Sequence, residues 1–257
     1  MNRVALVTGA ARGIGAATVR ALVDQGWSVV AVDRCADDPR LPYALGTEAE
    51  LNALAGEHVL PFVADTCDPT GLEAAVAKAE QEFGGLDAAI AVAGVVAGGV
   101  PVWEQPAHEM QAVLDINLLG TLHLARACVP ALLRRPEPRS GRFIAVASTA
   151  AVRGLPMLAA YCAAKAGVTG LVRSLAVELG GTGVTANAVS PGSTDTPVLA
   201  ESARLYGLDR AEDFARQQPI GRLLEPAEVA AALVWLAGPH SSAITGAILP
   251  VDGGLGL

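Results

Sequence analysis

Short apolar runs alternate with longer segments of helical periodicity along almost the whole chain. The runs are continuously apolar, as in strands buried on both faces, and cover residues 3–8, 27–33, 58–65, 87–94, 141–148, 184–192 and 247–252. Helical segments lie between them at 13–25, 71–83, 106–133, 161–179 and 226–237. The alternation predicts an α/β fold, a Rossmann-type doubly wound parallel sheet of about seven strands.

One segment departs from this alternation. Residues 193–218 are more polar and hold no strand-like run, which is typical of a mobile flap over the carboxyl ends of the strands, or of a plain surface excursion. No shift in composition marks a linker. The 257 residues are therefore predicted to form a single domain, 1–257, with a small substrate-binding flap at 193–218.

Composition and charge favour an enzyme with a small-molecule partner. Hydrophobic residues make up 52% of the chain but aromatic residues only 4%, so the core is built mainly from aliphatic side chains. The net charge of −8 argues against a nucleic-acid or anionic-membrane surface. Glycines and a proline break the most apolar stretch, residues 88–103, which is too short to span a bilayer. Met1 leads into Arg3 without an apolar export signal, which predicts a cytoplasmic protein.

Cysteines and histidines give no indication of a metal site. No Cys-x-x-Cys pair and no histidine spacing typical of metal ligands occurs. Because a cytoplasmic compartment is reducing, free thiols are expected at Cys35, Cys67, Cys128 and Cys162.

A glycine-rich turn follows the first predicted strand and opens the first helix. The run Thr8-Gly-Ala-Ala-Arg-Gly-Ile-Gly15 lets backbone N–H groups approach a pyrophosphate, although such turns also serve simply to pack a helix on a sheet. Asp33 ends the second strand, where a carboxylate accepts hydrogen bonds from ribose hydroxyls and repels a 2′-phosphate. NAD is the expected cofactor. NADP is the alternative, because Arg12 and Arg34 are near enough to reach a 2′-phosphate.

Tyr161 and Lys165 are four residues apart, with Ser148 thirteen residues upstream. On a helix, positions i and i+4 share one face, so both side chains point into one cleft. A nearby ammonium favours the phenolate and lowers the tyrosine pKa from about 10. The pair is a candidate proton-transfer site, although helical pairs at this spacing are common and usually meet by chance.

Together these residues resemble the classical short-chain dehydrogenase/reductase family over essentially the whole chain. The glycine-rich turn at 8–15 and four further motifs occur in family order: Asn117, Ser148, Tyr161 with Lys165, and Pro191-Gly192 followed by Thr196. The ending Val251-Asp-Gly-Gly also looks like the family's. The resemblance implies an NAD-dependent oxidoreductase that interconverts a secondary alcohol and a ketone by hydride transfer, without a metal.

The resemblance also implies a role for each motif. Tyr161 would be the general acid/base, Lys165 its activator and the holder of the nicotinamide ribose, and Ser148 the hydrogen-bond donor to the substrate oxygen. Asn117 would support a proton path, although a buried amide that satisfies local backbone explains it equally well. Asp65 would meet the adenine ring and Thr196 the carboxamide. The implied cofactor-binding residues are Gly9, Ala11, Arg12, Gly13, Ile14, Gly15, Asp33, Arg34, Asp65, Thr66, Ala93, Gly94, Tyr161, Lys165, Pro191, Gly192, Thr194 and Thr196.

The chain departs from the family pattern in two places. Ala91-Val-Ala-Gly94 replaces the usual Asn-Asn-Ala-Gly, so the amide that braces the central strands is absent. The stretch between Asp33 and Asp65 is several residues longer than usual and lies beside the predicted adenosine site. In this it resembles actinobacterial members associated with the redox carrier mycofactocin, in which NAD is retained. A longer surface loop is also often tolerated without function.

The pattern also bears on assembly and substrate. Apolar residues occupy most of the circumference of the helix at 113–129, so the sheet covers one face and a partner subunit the other, which predicts a homo-oligomer, a dimer or homotetramer. Residues near Val95 and Val96, at 150–155 and after Ser193 are largely apolar, which favours a small hydrophobic alcohol or ketone.

Two other functions are open. A 3-oxoacyl-carrier-protein reductase is disfavoured by Asp33 and by the acidic net charge. A non-catalytic NAD-binding sensor or scaffold would be marked by the loss of Ser148, Tyr161 or Lys165, and all three are present.

Overall fold

Seven parallel strands form one sheet in the part of the chain that the computed structural model describes, residues 3–257. The first two residues, on which the export prediction partly depends, lie outside it. The strands are β1 (Val4–Thr8), β2 (Ser28–Asp33), β3 (Val59–Val63), β4 (Ala88–Ala91), β5 (Arg142–Val146), β6 (Thr185–Pro191) and β7 (Ile248–Val251). Their spatial order is β3-β2-β1-β4-β5-β6-β7. Each predicted apolar run contains one of them, and the predicted doubly wound sheet is confirmed.

Helices cover both faces of the sheet. Over residues 3–257 they are α1 (Gly13–Asp24), α2 (Glu48–Asn52), α3 (Pro69–Phe83), α4 (Ala107–Leu114), α5 (Gly120–Arg134), α6 (Ala159–Glu178), α7 (Pro197–Leu205) and α8 (Pro226–Ala237). A π-helical turn, Asp115–Leu119, joins α4 to α5, so the single helix predicted at 106–133 is interrupted. The sequence pattern did not predict α2 and α7, because both are short and begin at the threonine caps Thr47 and Thr196 rather than from a long apolar period.

Two apolar layers, one on each face, explain why the strands are continuously apolar. Leu6 of β1 packs in a layer with α3, α5 and α6, whereas its neighbour Val7 packs in the other layer with α1 and α8. Val30 and Val29 of β2 divide in the same way. Because successive strand residues face opposite sides of a sheet, each position of the central strands β1, β4, β5 and β6 is buried by one layer or the other.

The strand order reverses between β1 and β4, and this reversal determines where a ligand-binding crevice opens. β2 and β3 lie on one side of β1, and β4 to β7 lie on the other. Thr8 at the end of β1 is paired with Ala91 at the end of β4. In such sheets a crevice opens beyond the carboxyl ends of the two central strands, where ligands bind.

The segment Ala107–Arg134 is long and apolar enough, by length and composition, to cross a membrane. In the fold, however, half of its apolar window is buried, and α5 packs against α3, β4 and β5. Burial and packing of this kind are typical of a core helix. Leu119 and Leu122 remain 40% and 41% exposed on it.

The flap at 193–218 contains α7 and a 3₁₀ turn, Ala211–Gln217, rather than irregular chain. Gln218, 2% exposed, holds its base. The Gln218 amide oxygen accepts from Ser193 N at 2.9 Å, and the amide nitrogen donates to the carbonyl oxygens of Ser193 at 3.2 Å and Arg222 at 2.6 Å. The flap therefore leaves the sheet and returns to it at a fixed, buried point.

Candidate active site

A cavity of about 690 Å³ opens at the carboxyl ends of the strands. The predicted catalytic and cofactor-binding residues all line it except Ala11 and Asn117. Those two lie immediately behind its wall: Ala11 N donates to the Asp33 carboxylate at 3.0 Å, and Asn117 holds the backbone of Val95. The fold therefore gathers motifs that are up to 187 residues apart in the sequence, from Gly9 to Thr196.

The glycine-rich turn is built by close backbone packing at the end of β1. Gly9 and Gly13 have φ of 66° and 55°, and a Cβ on Gly9 would lie 2.7 Å from the Cα atom of Ala93. A Cβ on Gly15 would overlap the carbonyl oxygen of Gly9. Arg12, at the N-cap of α1, makes no side-chain cap hydrogen bond, so the first amides of this helix are open to an anion. The turn fits the pyrophosphate of a dinucleotide.

Asp33 stands at the end of β2 beside this turn. Its carboxylate accepts hydrogen bonds from Ala11 N at 3.0 Å and from Cys35 N at 3.2 Å. Gly46 passes directly over it, because a Cβ on Gly46 would lie 3.2 Å from Asp33 Oδ1 and 2.9 Å from the Cβ atom of Ala11. The acidic group at the predicted ribose position is thus fixed by backbone donors and lines the cavity.

The elongated segment, residues 35–46, crosses this end of the cavity, and we call it the strap. Its Leu41 and Tyr43 pack in a hydrophobic cluster with Ile116 and Tyr161. The Tyr43 hydroxyl accepts a hydrogen bond from Val96 N at 3.0 Å. The strap therefore runs from the end of β2 to the loop after β4. Retention of NAD, as in the mycofactocin-associated proteins, stays a prediction.

Arg12 and Arg34, the two arginines near the predicted ribose position, both make hydrogen bonds within the protein. Arg12 Nη2 donates to the carbonyl oxygen of Ala44 in the strap at 2.9 Å. Arg34 Nη1 contacts Asp38 Oδ2 at 2.8 Å, and Arg34 Nε lies 3.4 Å from Asp65 Oδ2. Asp65, predicted to meet the adenine ring, also accepts from Cys67 N at 2.8 Å.

Tyr161 and Lys165 lie on α6 and face the cavity together with Ser148, which follows β5. Lys165 is 4% exposed, and its Nζ donates to the carbonyl oxygen of Val146 at 2.8 Å. Burial lowers the pKa of Lys165 to about 8. Its Nζ is 5.8 Å from the centroid of the Tyr161 ring.

The pKa of Tyr161 moves against the sequence-based prediction. Burial raises it, and hydrogen bonding with Ser148 opposes the rise only in part. The physical reason is that desolvation of the buried phenolate outweighs the hydrogen bond with Ser148. The Lys165 ammonium donates to the carbonyl oxygen of Val146. The Ser148 Oγ atom accepts from Ala150 N at 3.1 Å, so the Ser148 hydroxyl proton stays available to a partner in the cavity.

Asn117 lies in the π-helical turn and is fully buried. Its side-chain oxygen accepts from Val95 N and its side-chain nitrogen donates to Val95 O, both at 2.8 Å. The structure thus shows the backbone-bracing role that the sequence left open for this residue. Thr8 braces the neighbouring chain, because its Oγ1 accepts from Val92 N at 3.2 Å and from Ala93 N at 3.4 Å. These contacts hold the loop after β4, although the asparagine side chains that the family usually has there are absent.

Two other predicted cofactor residues also serve the local backbone. The Thr196 hydroxyl caps α7 by accepting from Leu199 N at 3.3 Å, and it donates to Thr194 O at 3.2 Å. The carbonyl oxygen of Thr66 lies 3.1 Å from His123 Nδ1. Both residues line the cavity.

The other half of the cavity has mostly apolar walls. Tyr206 and Phe214 of the flap stack edge to face with their centroids 6.0 Å apart, and Leu155, Val198 and Leu255 complete the wall. Arg153 lies among them and donates to Leu255 O at 2.8 Å. Arg153 and Tyr206 lie within the ranges predicted to form the substrate pocket, 150–155 and the flap, although neither was singled out. Sequence reasoning did not identify Tyr43, because it belongs to no motif and reaches the cavity only through the path of its loop.

A doubly wound sheet with a dinucleotide cradle beside a serine, a tyrosine and a lysine defines a nucleotide-dependent oxidoreductase. The chain belongs to the short-chain dehydrogenase/reductase family, and the family model described as enoyl-(acyl carrier protein) reductase matches residues 9–256.

Individual relatives match the chain end to end. It is 40% identical over 257 residues to a cis-4-hydroxycyclohexanecarboxylate dehydrogenase of Sinomonas cyclohexanicum, covering 98% of this chain and 96% of that protein. It is 34% identical to a 3-oxoacyl-[acyl-carrier-protein] reductase of Thermotoga maritima, covering 99% and 98%. Among solved structures it resembles a carveol dehydrogenase from Mycobacterium avium in complex with NAD, with a TM-score of 0.92, 29% identity and coverage of 98% and 97%. The predicted family and the oxidation or reduction of an alcohol or ketone are confirmed.

Proposed function

We propose that this chain is an NAD-dependent dehydrogenase that interconverts a small hydrophobic secondary alcohol and its ketone. The observation that carries the proposal is the common cavity. One end is formed by the glycine-rich turn and Asp33, and the other by apolar walls, with Ser148, Tyr161 and Lys165 between them. In this arrangement a bound NAD would accept hydride from the alcohol carbon or return hydride to the ketone.

The side chains of the site handle the proton and the charge. The Ser148 hydroxyl donates a hydrogen bond to the substrate oxygen, where negative charge changes during the reaction. The Tyr161 hydroxyl gives up its proton in ketone reduction and, as phenolate, takes one in alcohol oxidation. The Lys165 ammonium favours the phenolate, which burial alone disfavours. Asn117 acts as a positioning residue, since it fixes Val95 at the cavity wall.

The proposed preference for NAD rests on Asp33. Its carboxylate lies beside the glycine-rich turn and is held by two backbone amides, at the position where ribose hydroxyls are recognised and a 2′-phosphate is repelled. The NAD-bound carveol dehydrogenase gives independent support from a similar fold.

The proposed substrate is a cyclic secondary alcohol or ketone with an apolar body. The flap side of the cavity is lined by Leu155, Val198, Tyr206, Phe214 and Leu255. The names of two similar proteins point the same way, to hydroxycyclohexanecarboxylate and to carveol. A panel of cyclohexanol, cis-4-hydroxycyclohexanecarboxylate, its methyl ester and carveol, each with NAD and NADP, tests this directly.

Replacing the proposed acid/base tests the mechanism. Tyr161→Phe should lower kcat by about a thousandfold or more, because proton transfer is lost, while NAD still binds in calorimetry. Tyr206→Phe is the matched control, since Tyr206 also lines the cavity but its hydroxyl only donates to Pro156 O at 2.8 Å. It should keep most of the activity. Undiminished turnover by Tyr161→Phe would refute the assignment.

A 3-oxoacyl-carrier-protein reductase is the alternative, and its support is the 34% identical reductase of Thermotoga maritima. The net charge of −8 opposes it, because the reductase would need a basic landing surface for an acidic carrier. Asp33 opposes the use of NADPH. Faster reduction of a carrier-linked 3-oxoacyl substrate with NADPH than of any free ketone with NADH would establish it. The single domain at 1–257, the cytoplasmic location and the homo-oligomer remain part of the proposal.

A further inference from the structure

We propose that the strap sets the cofactor preference through Asp38, which holds Arg34 out of reach of a 2′-phosphate. The inference deepens the proposed use of NAD and rests on it. Asp33 alone repels a 2′-phosphate, but Arg34 directly follows it and has the fork of donors that binds phosphate best. Whether Arg34 is available therefore matters as much as the carboxylate beside it.

Asp38 is built to hold arginine side chains. It is 2% exposed, and its Oδ2 accepts from Arg34 Nη1 at 2.8 Å and from Arg40 Nη2 at 2.8 Å. Its Oδ1 accepts from the backbone N and from Nε of Arg40, at 3.0 and 2.9 Å. Arg40 in turn contacts Asp115 Oδ2 at 2.7 Å. A carboxylate with this many donors is fixed, and so is the guanidinium of Arg34.

A second carboxylate, that of Asp65, also lies beside the Arg34 guanidinium. Its Nε lies 3.4 Å from Asp65 Oδ2, so carboxylates stand on two sides of one guanidinium. Arg12, the other arginine near the ribose position, donates to Ala44 O of the same strap. The strap thus holds both arginines, which would otherwise favour a 2′-phosphate. Among the described residues, the negative charge of Asp33 is then not paired with a cation at the ribose site.

Binding of adenosine fragments tests the role of Asp38 without turnover. Calorimetry measures the Kd of 5′-ADP and of 2′,5′-ADP for the wild type and for Asp38→Asn. We expect the wild type to prefer 5′-ADP, and Asp38→Asn to shift the ratio of the two Kd values toward 2′,5′-ADP by about tenfold, the value of one charge-assisted hydrogen bond. The ratio of kcat/KM for NADP and NAD should move in the same direction.

Three variants keep the test specific. Asp37→Asn makes the same charge change in the strap, where Asp37 accepts from Leu45 N and, within residues 3–257, pairs with no arginine, and it should leave the ratio unchanged. Arg34→Met in the wild-type background should barely affect 2′,5′-ADP, because Arg34 is already engaged. Adding Arg34→Met to Asp38→Asn should abolish the gain.

The outcomes distinguish failure of the proposed use of NAD from failure of the proposed role of Asp38. A wild type that prefers 2′,5′-ADP overturns the proposed use of NAD itself. A wild type that prefers 5′-ADP, with an unchanged ratio in folded Asp38→Asn or a gain that survives without Arg34, overturns the role of Asp38 alone. If Asp38→Asn fails to fold, a clear loss of 2′,5′-ADP binding in Arg34→Met overturns the role of Asp38, and an unchanged Kd supports it.

A second inference comes from the opposite end of the cavity and also rests on the proposed function. We infer that Arg153 binds an anionic group of the substrate, so that the substrate class is a cyclic hydroxy acid or the corresponding keto acid. Arg153 lines the cavity beside apolar walls and uses Nη1 to donate to Leu255 O at 2.8 Å. Within residues 3–257, no carboxylate lies within ion-pair distance of it.

The other cations that line the cavity have different surroundings. Arg12 and Arg34 are engaged by the strap at the far end, and Lys165 is buried beside Tyr161 and bonded to Val146 O. Arg153 alone, among the described lining residues, offers unpaired guanidinium donors on the substrate side. Arg153 and Ser148 line the same cavity, so we expect one small molecule to place its anionic group on Arg153 and its alcohol oxygen at Ser148.

A charged substrate and its neutral ester distinguish this role from a structural one. We expect the wild type to have a lower KM for the cyclic hydroxy acid of the panel than for its methyl ester. Arg153→Gln should raise the KM for the acid about tenfold and leave the ester unchanged. Arg210→Gln, which removes an exposed flap arginine paired with Glu212, is the control and should change neither.

Each result decides one proposal. If no alcohol or ketone of the panel reacts, the proposed function fails. If the ester reacts but the wild type shows no preference for the acid, or if Arg153→Gln slows both substrates equally, the assignment of Arg153 fails and the residue only anchors Leu255.

Discussion

Lys165 brings a positive charge into the interior, where its Nζ donates to the backbone carbonyl oxygen of Val146. Burial lowers its pKa to about 8, from 10.5 for a free lysine. Between these values the unfolded chain binds a proton that the folded chain lacks, so the contribution of this residue to stability rises with pH from about 8 to 10.5. Below pH 8 the folded protein carries the full cost of the buried ammonium.

Lys165→Met removes this titration. We expect the wild type to gain stability relative to the variant as pH rises from 7.5 to 10.5, by up to about 3 kcal/mol for the full shift. Urea unfolding at a series of pH values measures it. Lys78→Met, at a surface lysine paired with Glu82, controls for the replacement of a lysine by methionine. A Lys165→Met difference that is independent of pH would contradict the argument.

Single residues with a chemical signature were predictable from the sequence, and their surroundings were not. The spacing of Tyr161 and Lys165 on a helix placed both at one cavity, because helical geometry is local. The raised pKa of Tyr161 depends on burial by distant segments, which spacing does not report. Likewise, Thr196 fits a family motif, yet its hydroxyl also caps α7, a helix too short for a periodic signal.

At the scale of elements, periodic segments were predictable and the strap's course was not. Strands are continuous apolar runs and long helices repeat apolar residues at a fixed period, so their positions follow from the sequence. The strap holds no helix or strand, and its path is set by long-range contacts. Arg40 reaches Asp115 of the π-helical turn, and Tyr43 meets Val96. Sequence reasoning recognised its unusual length and its place beside the adenosine site but not these anchors.

Gly46 shows how closely the strap lies on the nucleotide end of the cavity. A Cβ at this position would lie 2.9 Å from the Ala11 Cβ atom and 3.2 Å from Asp33 Oδ1, too close for either to stay in place. Gly46→Ala should therefore displace the strap or the Asp33 carboxylate and weaken 5′-ADP binding severalfold in calorimetry. Gly56→Ala is the matched control, since a Cβ there meets nothing within 4 Å. Equal affinity in both variants would show that the strap does not constrain this end.

At the scale of the whole molecule, the sheet is the part that the sequence specifies most fully. The central strands β1, β4, β5 and β6 are buried at every position, so their apolar runs are continuous and easily recognised. The reversal of strand order at β1 and β4 then fixes where the crevice opens. A surface that contacts another copy of the chain is not buried within the fold, so its sequence need not form a continuous apolar run. In a single chain, such a surface is indicated only by apolar side chains that the fold leaves exposed.

The outer face of α5 is the surface at which we expect a partner subunit of the predicted homo-oligomer to pack. Leu124, Cys128 and Leu132 of this helix are fully buried, whereas Leu119 and Leu122 are 40% and 41% exposed beside it. Apolar area of this kind is usually covered by a partner subunit.

Replacing both exposed leucines with glutamate would place charges where a partner is expected to pack. We expect the wild type to exceed the 26.1 kDa of one chain in light scattering at micromolar concentration, and Leu119→Glu/Leu122→Glu to approach that mass, because an interface does not bury unpaired carboxylates. Val63→Glu, a like change at a 54% exposed position of the edge strand β3, should keep the wild-type mass. A monomeric wild type would refute the oligomer, and an oligomeric double variant would move the interface to another face.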